Sequence, residues 1–124
     1  MVSSNNVIET KDVAEYDLQA VFEHARAESI HFGDGPKLLR HLARLGFPAS
    51  STNPVCEVLL TLTEKHFHRC ERYEGDVRYL WHDVYLLPKF QAPNGDTYNM
   101  YIKIRMTSAR TMTIVCSFHP EGWE

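Results

Sequence analysis

The spacing of hydrophobic residues along the chain changes near Glu64. Before this point they recur at intervals of three and four, as in helices with one buried face. This pattern predicts three helices, at about 12–27, 36–46 and 53–62, the first starting at an Asp12–Glu15 capping box. After it, stretches rich in aromatic and β-branched residues alternate with turn residues. They predict four strands, at 66–73, 77–87, 98–106 and 111–119.

Short turns between these strands favour an antiparallel meander, with the three helices packed on one of its faces. We therefore predict an α+β fold in which the opposite face of the sheet is open. At 124 residues the chain has room for a single domain, 1–124. Residues 1–11 are expected to be disordered.

Alternation along the last two predicted strands separates a buried face from a polar one. In the third strand Tyr101, Lys103 and Arg105 lie opposite Ile102 and Ile104. The fourth strand is expected to bury Met112, Ile114, Cys116 and Phe118 and to point the intervening residues outward, namely Thr111, Thr113, Val115, Ser117 and His119. Antiparallel pairing would then place Tyr101 and Lys103 beside Ser117 and His119.

Charge and cysteine content narrow the classes of function. The net charge is −3, which is unlike the strongly basic balance of proteins that grip nucleic acid along their length, so any RNA contact must be local. Three widely spaced cysteines do not suggest a disulfide framework. The first residues resemble neither a membrane span nor a secretory signal, which predicts a cytoplasmic protein.

A metal site is one alternative function. His66, His68 and Cys70 recur at two-residue intervals and would form a row of three zinc ligands on a strand. Same-face side chains on a strand diverge by nearly 7 Å, however, and one strand rarely supplies three ligands to a tetrahedral ion. We therefore assign no cofactor and no metal ligand.

Several short motifs resemble the motility quorum-sensing regulator toxins (MqsR), a branch of the RelE/ParE-like bacterial toxins that cleave messenger RNA. The resemblance rests on the buried helix around Val58-Leu59 and Leu62, on Glu64 and Phe67 with a basic residue two further on, and on three strand motifs. These are Trp81-His82-Asp83-Val84-Tyr85, Tyr101-Ile102-Lys103-Ile104 and Ile114-Val115-Cys116-Ser117-Phe118. It covers about half of the chain, and it implies a RelE/ParE-like fold, an endoribonuclease and a cognate antitoxin as partner.

The resemblance also implies four active-site positions. The family's lysine falls on Arg69, its glutamine on His82 and its closing lysine on His119, while its tyrosine is retained as Tyr101. Three of the four positions therefore carry a different residue, although each replacement can still hydrogen-bond or pair with phosphate.

Metal-free RNA cleavage needs a base for the 2′-hydroxyl, an acid for the leaving 5′-oxygen and positive charge at the phosphate. Our hypothesis is that His82 and His119 are the acid–base pair, because imidazole exists in both protonation states near neutral pH. Arg69 would clamp the phosphate and Tyr101 would orient the reacting groups, with Lys103 and Arg105 as supporting charge. Which histidine is the base stays open.

A noncatalytic module is the other alternative: the same fold could hold a protein or RNA partner without cleaving it. The three altered positions and the mild acidity favour this interpretation. The preferred RNA sequence and the oligomeric state are not predicted.

Overall fold

A computed structural model describes residues 6–33, 35–48, 50–74 and 80–123. It contains three helices and a sheet of six strands, so the predicted α+β class is confirmed. The helices are α1 (Leu18–Arg26), α2 (Pro36–Leu45) and α3 (Asn53–Leu59). The strands are β1 (Val7–Lys11), β2 (Ile30–Phe32), β3 (Phe67–Tyr73), β4 (His82–Gln91), β5 (Thr97–Met106) and β6 (Thr113–Pro120).

The sheet is larger and more mixed than predicted. Its order is β1-β3-β4-β5-β6-β2, and β2 runs parallel to β6 while the other neighbours are antiparallel. Residues 7–11, which were expected to be disordered, form β1 against β3. Because β1 and β2 precede α1 and α2, the helices are interspersed and do not form one N-terminal group. The predicted start of the second strand, at 77, lies outside the described residues.

Helix α1 starts later than the capping-box pattern indicated. Its N-cap is Asp17, whose carboxylate accepts a hydrogen bond from the Gln19 amide at 3.0 Å. The Glu15 side chain instead pairs with Lys11 and Arg110. This segment is therefore held by tertiary contacts rather than by a helical turn. Helix α2 matches the prediction and ends at Gly46, which has the left-handed conformation typical of helix C-termini.

The helices cover one face of the sheet. Apolar residues of all three pack there against β4, β5 and β6, and the largest fully buried apolar residues of these strands are Tyr85, Met100, Ile102, Ile104, Met106 and Phe118. The leucine spacing of α2 predicts an apolar stripe of Leu38, Leu39, Leu42 and Leu45, but Leu39 is 48% exposed. The opposite face of the sheet is called the open face below. Its polar residues are Arg69, Glu71, His82, Tyr101, Lys103, Arg105, Ser117 and His119.

A bulge corrects the predicted faces of β6. The register shifts between the pairs Lys103–Ser117 and Ile104–Val115, leaving Cys116 as the extra residue. Val115 therefore lies in the core, whereas Ile114 stands opposite Arg105 and Cys116 is only half-buried. Thr113 is also buried, with its hydroxyl 2.7 Å from His24 Nδ1. The extra residue reverses the face on which each earlier side chain of β6 lies, relative to simple alternation. The predicted faces are therefore correct only from Ser117 onward.

No helix in the described part of the chain is long and apolar enough to cross a membrane.

Candidate functional site

Strand register brings most of the predicted site residues together on the open face. Tyr101 stands opposite His119, and in the neighbouring row Arg69, Val84, Lys103 and Ser117 lie side by side across four strands. The pairing of Tyr101 and Lys103 with His119 and Ser117 is the one predicted from alternation, and it is confirmed. Cations and aromatic rings thus share a small area of the sheet.

His119 is the imidazole at the centre of this area. Its ring lies parallel to that of Tyr101, with 5.2 Å between centroids and 19° between planes. Its Nδ1 lies 2.8 Å from the Pro120 carbonyl oxygen. Because a carbonyl only accepts, Nδ1 carries the proton, and in the neutral ring Nε2 has the basic lone pair. Burial lowers the pKa of His119, the hydrogen bond to the Pro120 carbonyl raises it, and the neighbouring His41, Lys37 and Lys103 lower it, with a net lowering. The ring is therefore mostly neutral near pH 7.

A buried carboxylate organises the groups beside Tyr101. Glu71 is 1% exposed; one of its oxygens accepts a short hydrogen bond from the Tyr73 hydroxyl. The other lies 2.5 Å from Arg69 Nε, as an ion pair without the alignment of a hydrogen bond. Burial and the nearby charge of Glu71 raise the pKa of Tyr101, whereas the side chain of Tyr73 and the charge of Arg69 lower it. Glu71 thereby contacts both Arg69 and Tyr73 and acts electrostatically on Tyr101.

The cations around this network remain accessible. The Arg69 side chain is 47% exposed although its Nε faces Glu71. Lys103 Nζ lies 4.4 Å from the centre of the Tyr73 ring, a cation–π distance. Arg105 is half-buried on the same face. A phosphate placed over Lys103 would therefore meet positive charge from more than one strand.

His82 lies on the open face, but Tyr73 covers it. Its ring packs edge-to-face with Tyr73 at 5.0 Å, its Nδ1 lies 3.1 Å from the Leu80 carbonyl oxygen, and it is 9% exposed. The register separates it from His119 by four residues along β4 and by two strand spacings, which corresponds to roughly 16 Å between Cα atoms. His82 therefore reaches a ligand beside His119 only if Tyr73 turns away.

The side chains of Trp81 and Asp83, on either side of His82, do not share its face of the sheet. The Asp83 carboxylate accepts hydrogen bonds from the backbone amides of Glu15 and Tyr16, both at 3.0 Å. Burial raises the pKa of this carboxyl group. Trp81 is half-buried, with the cationic groups of Lys11 and Arg72 over its ring at 4.5 and 4.1 Å. Both side chains are structural.

The row of His66, His68 and Cys70, considered above as an alternative zinc site, is not formed as simple alternation would place it. His66 belongs to a short 3₁₀ helix, Glu64–His66, and its Nδ1 accepts a hydrogen bond from the Thr63 amide. A register shift between Phe67 and Arg69 breaks the alternation at His68, and Cys70 is fully buried next to Asp83. Within the described ranges, no group of three or more His, Cys, Asp and Glu side chains is arranged to hold a metal ion.

Three residues of this area were missed by the sequence analysis: Glu71, Tyr73 and His41. Glu71 and Tyr73 follow Arg69 at two-residue intervals, so alternation along β3 could have placed Arg69, Glu71 and Tyr73 on one face. His41, in α2, is 3% exposed and its ring lies 4.8 Å from that of His119. No sequence spacing indicates that contact, because it joins a helix to a distant strand.

A helix-backed sheet with cations, a histidine and tyrosines on its open face defines a small α+β protein with a surface site suited to an anionic ligand. The family model described as "Motility quorum-sensing regulator, toxin of MqsA" matches residues 13–120, a range that includes all the predicted site residues. The chain therefore belongs to this family of toxins from toxin–antitoxin systems. No curated protein matches it.

Proposed function

We propose that this protein is a metal-independent endoribonuclease, an mRNA interferase toxin that a cognate antitoxin holds inactive. The observation that carries the proposal is the stacking of His119 on Tyr101 beside the row that contains Arg69 and Lys103. A base, hydroxyl groups and fixed positive charge are the parts that cleavage by 2′-hydroxyl attack requires. Membership of the toxin family supports this assignment.

His119 is the general base in this proposal. Its Nε2 lone pair takes the proton of the 2′-hydroxyl, and the 2′-oxygen then attacks the adjacent phosphorus. The Pro120 carbonyl holds the ring in the required tautomer and stabilises the imidazolium that forms. The Tyr101 hydroxyl orients the reacting nucleotide from the neighbouring strand.

Arg69 and Lys103 stabilise the negative charge that gathers on the phosphate during the attack, and Arg105 adds to the field. Glu71 fixes one side of the Arg69 guanidinium, which reduces the freedom the side chain must lose on binding. The products are a 2′,3′-cyclic phosphate and a 5′-hydroxyl group.

His82 is the proposed acid for the leaving 5′-oxygen. This role requires Tyr73 to leave the ring of His82 when RNA binds, since the ring is otherwise covered. Tyr73 donates a hydrogen bond to Glu71, so this movement has to break that bond.

The dependence of cleavage rate on pH tests the two histidine roles. A base acts in its neutral form, and the pKa of His119 is lowered, so the rate should rise with pH through a value below the ordinary 6.5. An acid acts in its protonated form, so the rate should fall again at higher pH. We expect a bell-shaped profile of kcat/KM for an RNA oligonucleotide.

Single variants separate the two limbs. The rising limb should be lost in His119→Ala and the falling limb in His82→Ala. A His82→Ala protein that keeps the falling limb would show that His82 only packs under Tyr73. Full activity in the double variant would reject the histidine mechanism altogether.

A further inference from the structure

Helix α2 carries three exposed cations on one side and no acidic residue. Lys37, Arg40 and Arg44 stand at positions i, i+3 and i+7, so they lie on neighbouring turns of one side of the helix. We call them the basic stripe. None of the three is ion-paired with another residue in the described part of the chain.

The basic stripe adjoins the candidate site. His41 lies on the same side of α2, one turn after Lys37, and its ring contacts that of His119. Lys37 is close enough to His119 to lower its pKa. At the other end, the Arg44 guanidinium lies 3.8 Å from the centre of the Trp123 ring, which in turn lies 5.7 Å from the His41 ring. The stripe thus extends the positive charge of the open face across the edge of β6.

Its length suits a polyanion rather than a single anion. Positions i and i+7 are separated by about 10 Å along a helix. A stacked nucleic acid strand presents a phosphate roughly every 3.4 Å. A strand that leaves the site along α2 would therefore bring more than one phosphate to the stripe.

We propose that the basic stripe is a docking surface for single-stranded RNA, which binds the phosphates that flank the cleaved linkage. This inference rests on the proposed function for the direction of the strand, but RNA binding can be tested without cleavage. Together with Arg69 and Lys103 of the open face, the stripe forms a positively charged surface, and the backbone of single-stranded RNA binds along such surfaces. An acidic polypeptide is the competing occupant.

The test compares two variants of equal charge. Lys37→Gln/Arg40→Gln removes two stripe cations and leaves Arg44, which packs on Trp123. The matched control, Arg26→Gln/Lys65→Gln, removes two exposed cations from α1 and the 3₁₀ helix. The probe is a ten-nucleotide RNA with 2′-O-methyl groups, which resists 2′-hydroxyl attack, and its affinity is measured by fluorescence anisotropy between 50 and 200 mM salt.

Each phosphate contact to single-stranded RNA contributes about 0.7 to the slope of log affinity against log salt. The stripe variant should therefore bind more weakly at low salt, with a slope shallower by about 1.4, while the control keeps the wild-type slope. Equal slopes in wild type and stripe variant would overturn the proposal, as would an equal loss in the control.

Decaglutamate serves as the second probe. The proposal expects it to bind more weakly than the RNA. If it binds more tightly and loses more affinity in the stripe variant, the surface takes an acidic protein and the RNA proposal is rejected. The wild-type protein could bind the RNA through the stripe and yet fail to cleave an unmodified RNA. That result would reject the nuclease function but support the stripe as an RNA-binding surface.

Discussion

Replacing His119 by alanine is expected to lower the rate of RNA cleavage by about 10²–10⁴-fold, the usual contribution of a general base. The substitution removes the Nε2 lone pair and the ring that stacks on Tyr101, while leaving Arg69 and Lys103 to bind the phosphate. We therefore expect the loss in kcat, with a smaller change in KM, for a short RNA measured under single-turnover and steady-state conditions.

The matched control is His31→Ala, which removes an exposed histidine from β2 at the edge of the sheet. It should keep the wild-type rate. The melting temperature of the His119→Ala protein must also be checked, since His119 contacts His41. A folded His119→Ala protein with more than about a tenth of the wild-type kcat would contradict the role as base.

A large effect on stability is expected from replacing Asp83. Its buried carboxylate accepts the amides of Glu15 and Tyr16, and alanine would leave both N–H groups without a partner. An unsatisfied buried donor costs about 1–3 kcal/mol, so Asp83→Ala should lower the free energy of unfolding by about 2–4 kcal/mol. Urea denaturation measures this directly.

Two further variants make that result specific. Asp83→Asn keeps one oxygen acceptor and should cost less than alanine. Asp12→Ala removes an exposed acidic residue from the segment that Asp83 holds, and should change stability by less than about 0.5 kcal/mol. If Asp12→Ala proved as costly as Asp83→Ala, the helix would start at the predicted capping box and not at Asp17.

The parts of the site that could be predicted from the sequence are those that lie in regular ladders. Alternation placed Tyr101, Lys103 and His119 on one face correctly because β5 and β6 pair without interruption there. The same rule failed upstream, at Val115, because a bulge at Cys116 has no sequence signal. It also failed at His66, where a helical turn replaces the expected strand.

The two additional strands were missed for different reasons. Strand β1 has no buried face, since four of its five residues are exposed, so its sequence shows no hydrophobic alternation. Strand β2 has only three residues and depends on pairing with β6. Both are held by partners distant in sequence, and local patterns do not report such contacts.

The basic stripe is not evident from the net charge of the N-terminal half of the chain. Residues 1–60 contain more acidic than basic residues, yet α2 within that half contains Lys37, Arg40 and Arg44 and no acid. The position of α2 beside β6 turns this local excess into part of one surface with the open face. A net charge of −3 is therefore compatible with a local site for a polyanion.

The most direct test of the nuclease assignment is the chemistry of the cleaved ends. The protein is incubated with an RNA oligonucleotide in the presence of a metal chelator, and the products are identified by mass spectrometry. The account predicts a 2′,3′-cyclic phosphate and a 5′-hydroxyl group, and no cleavage where the nucleotide before the cut carries a 2′-deoxyribose. Products with a 5′-phosphate and a 3′-hydroxyl, or cleavage of the deoxy substrate, would contradict it.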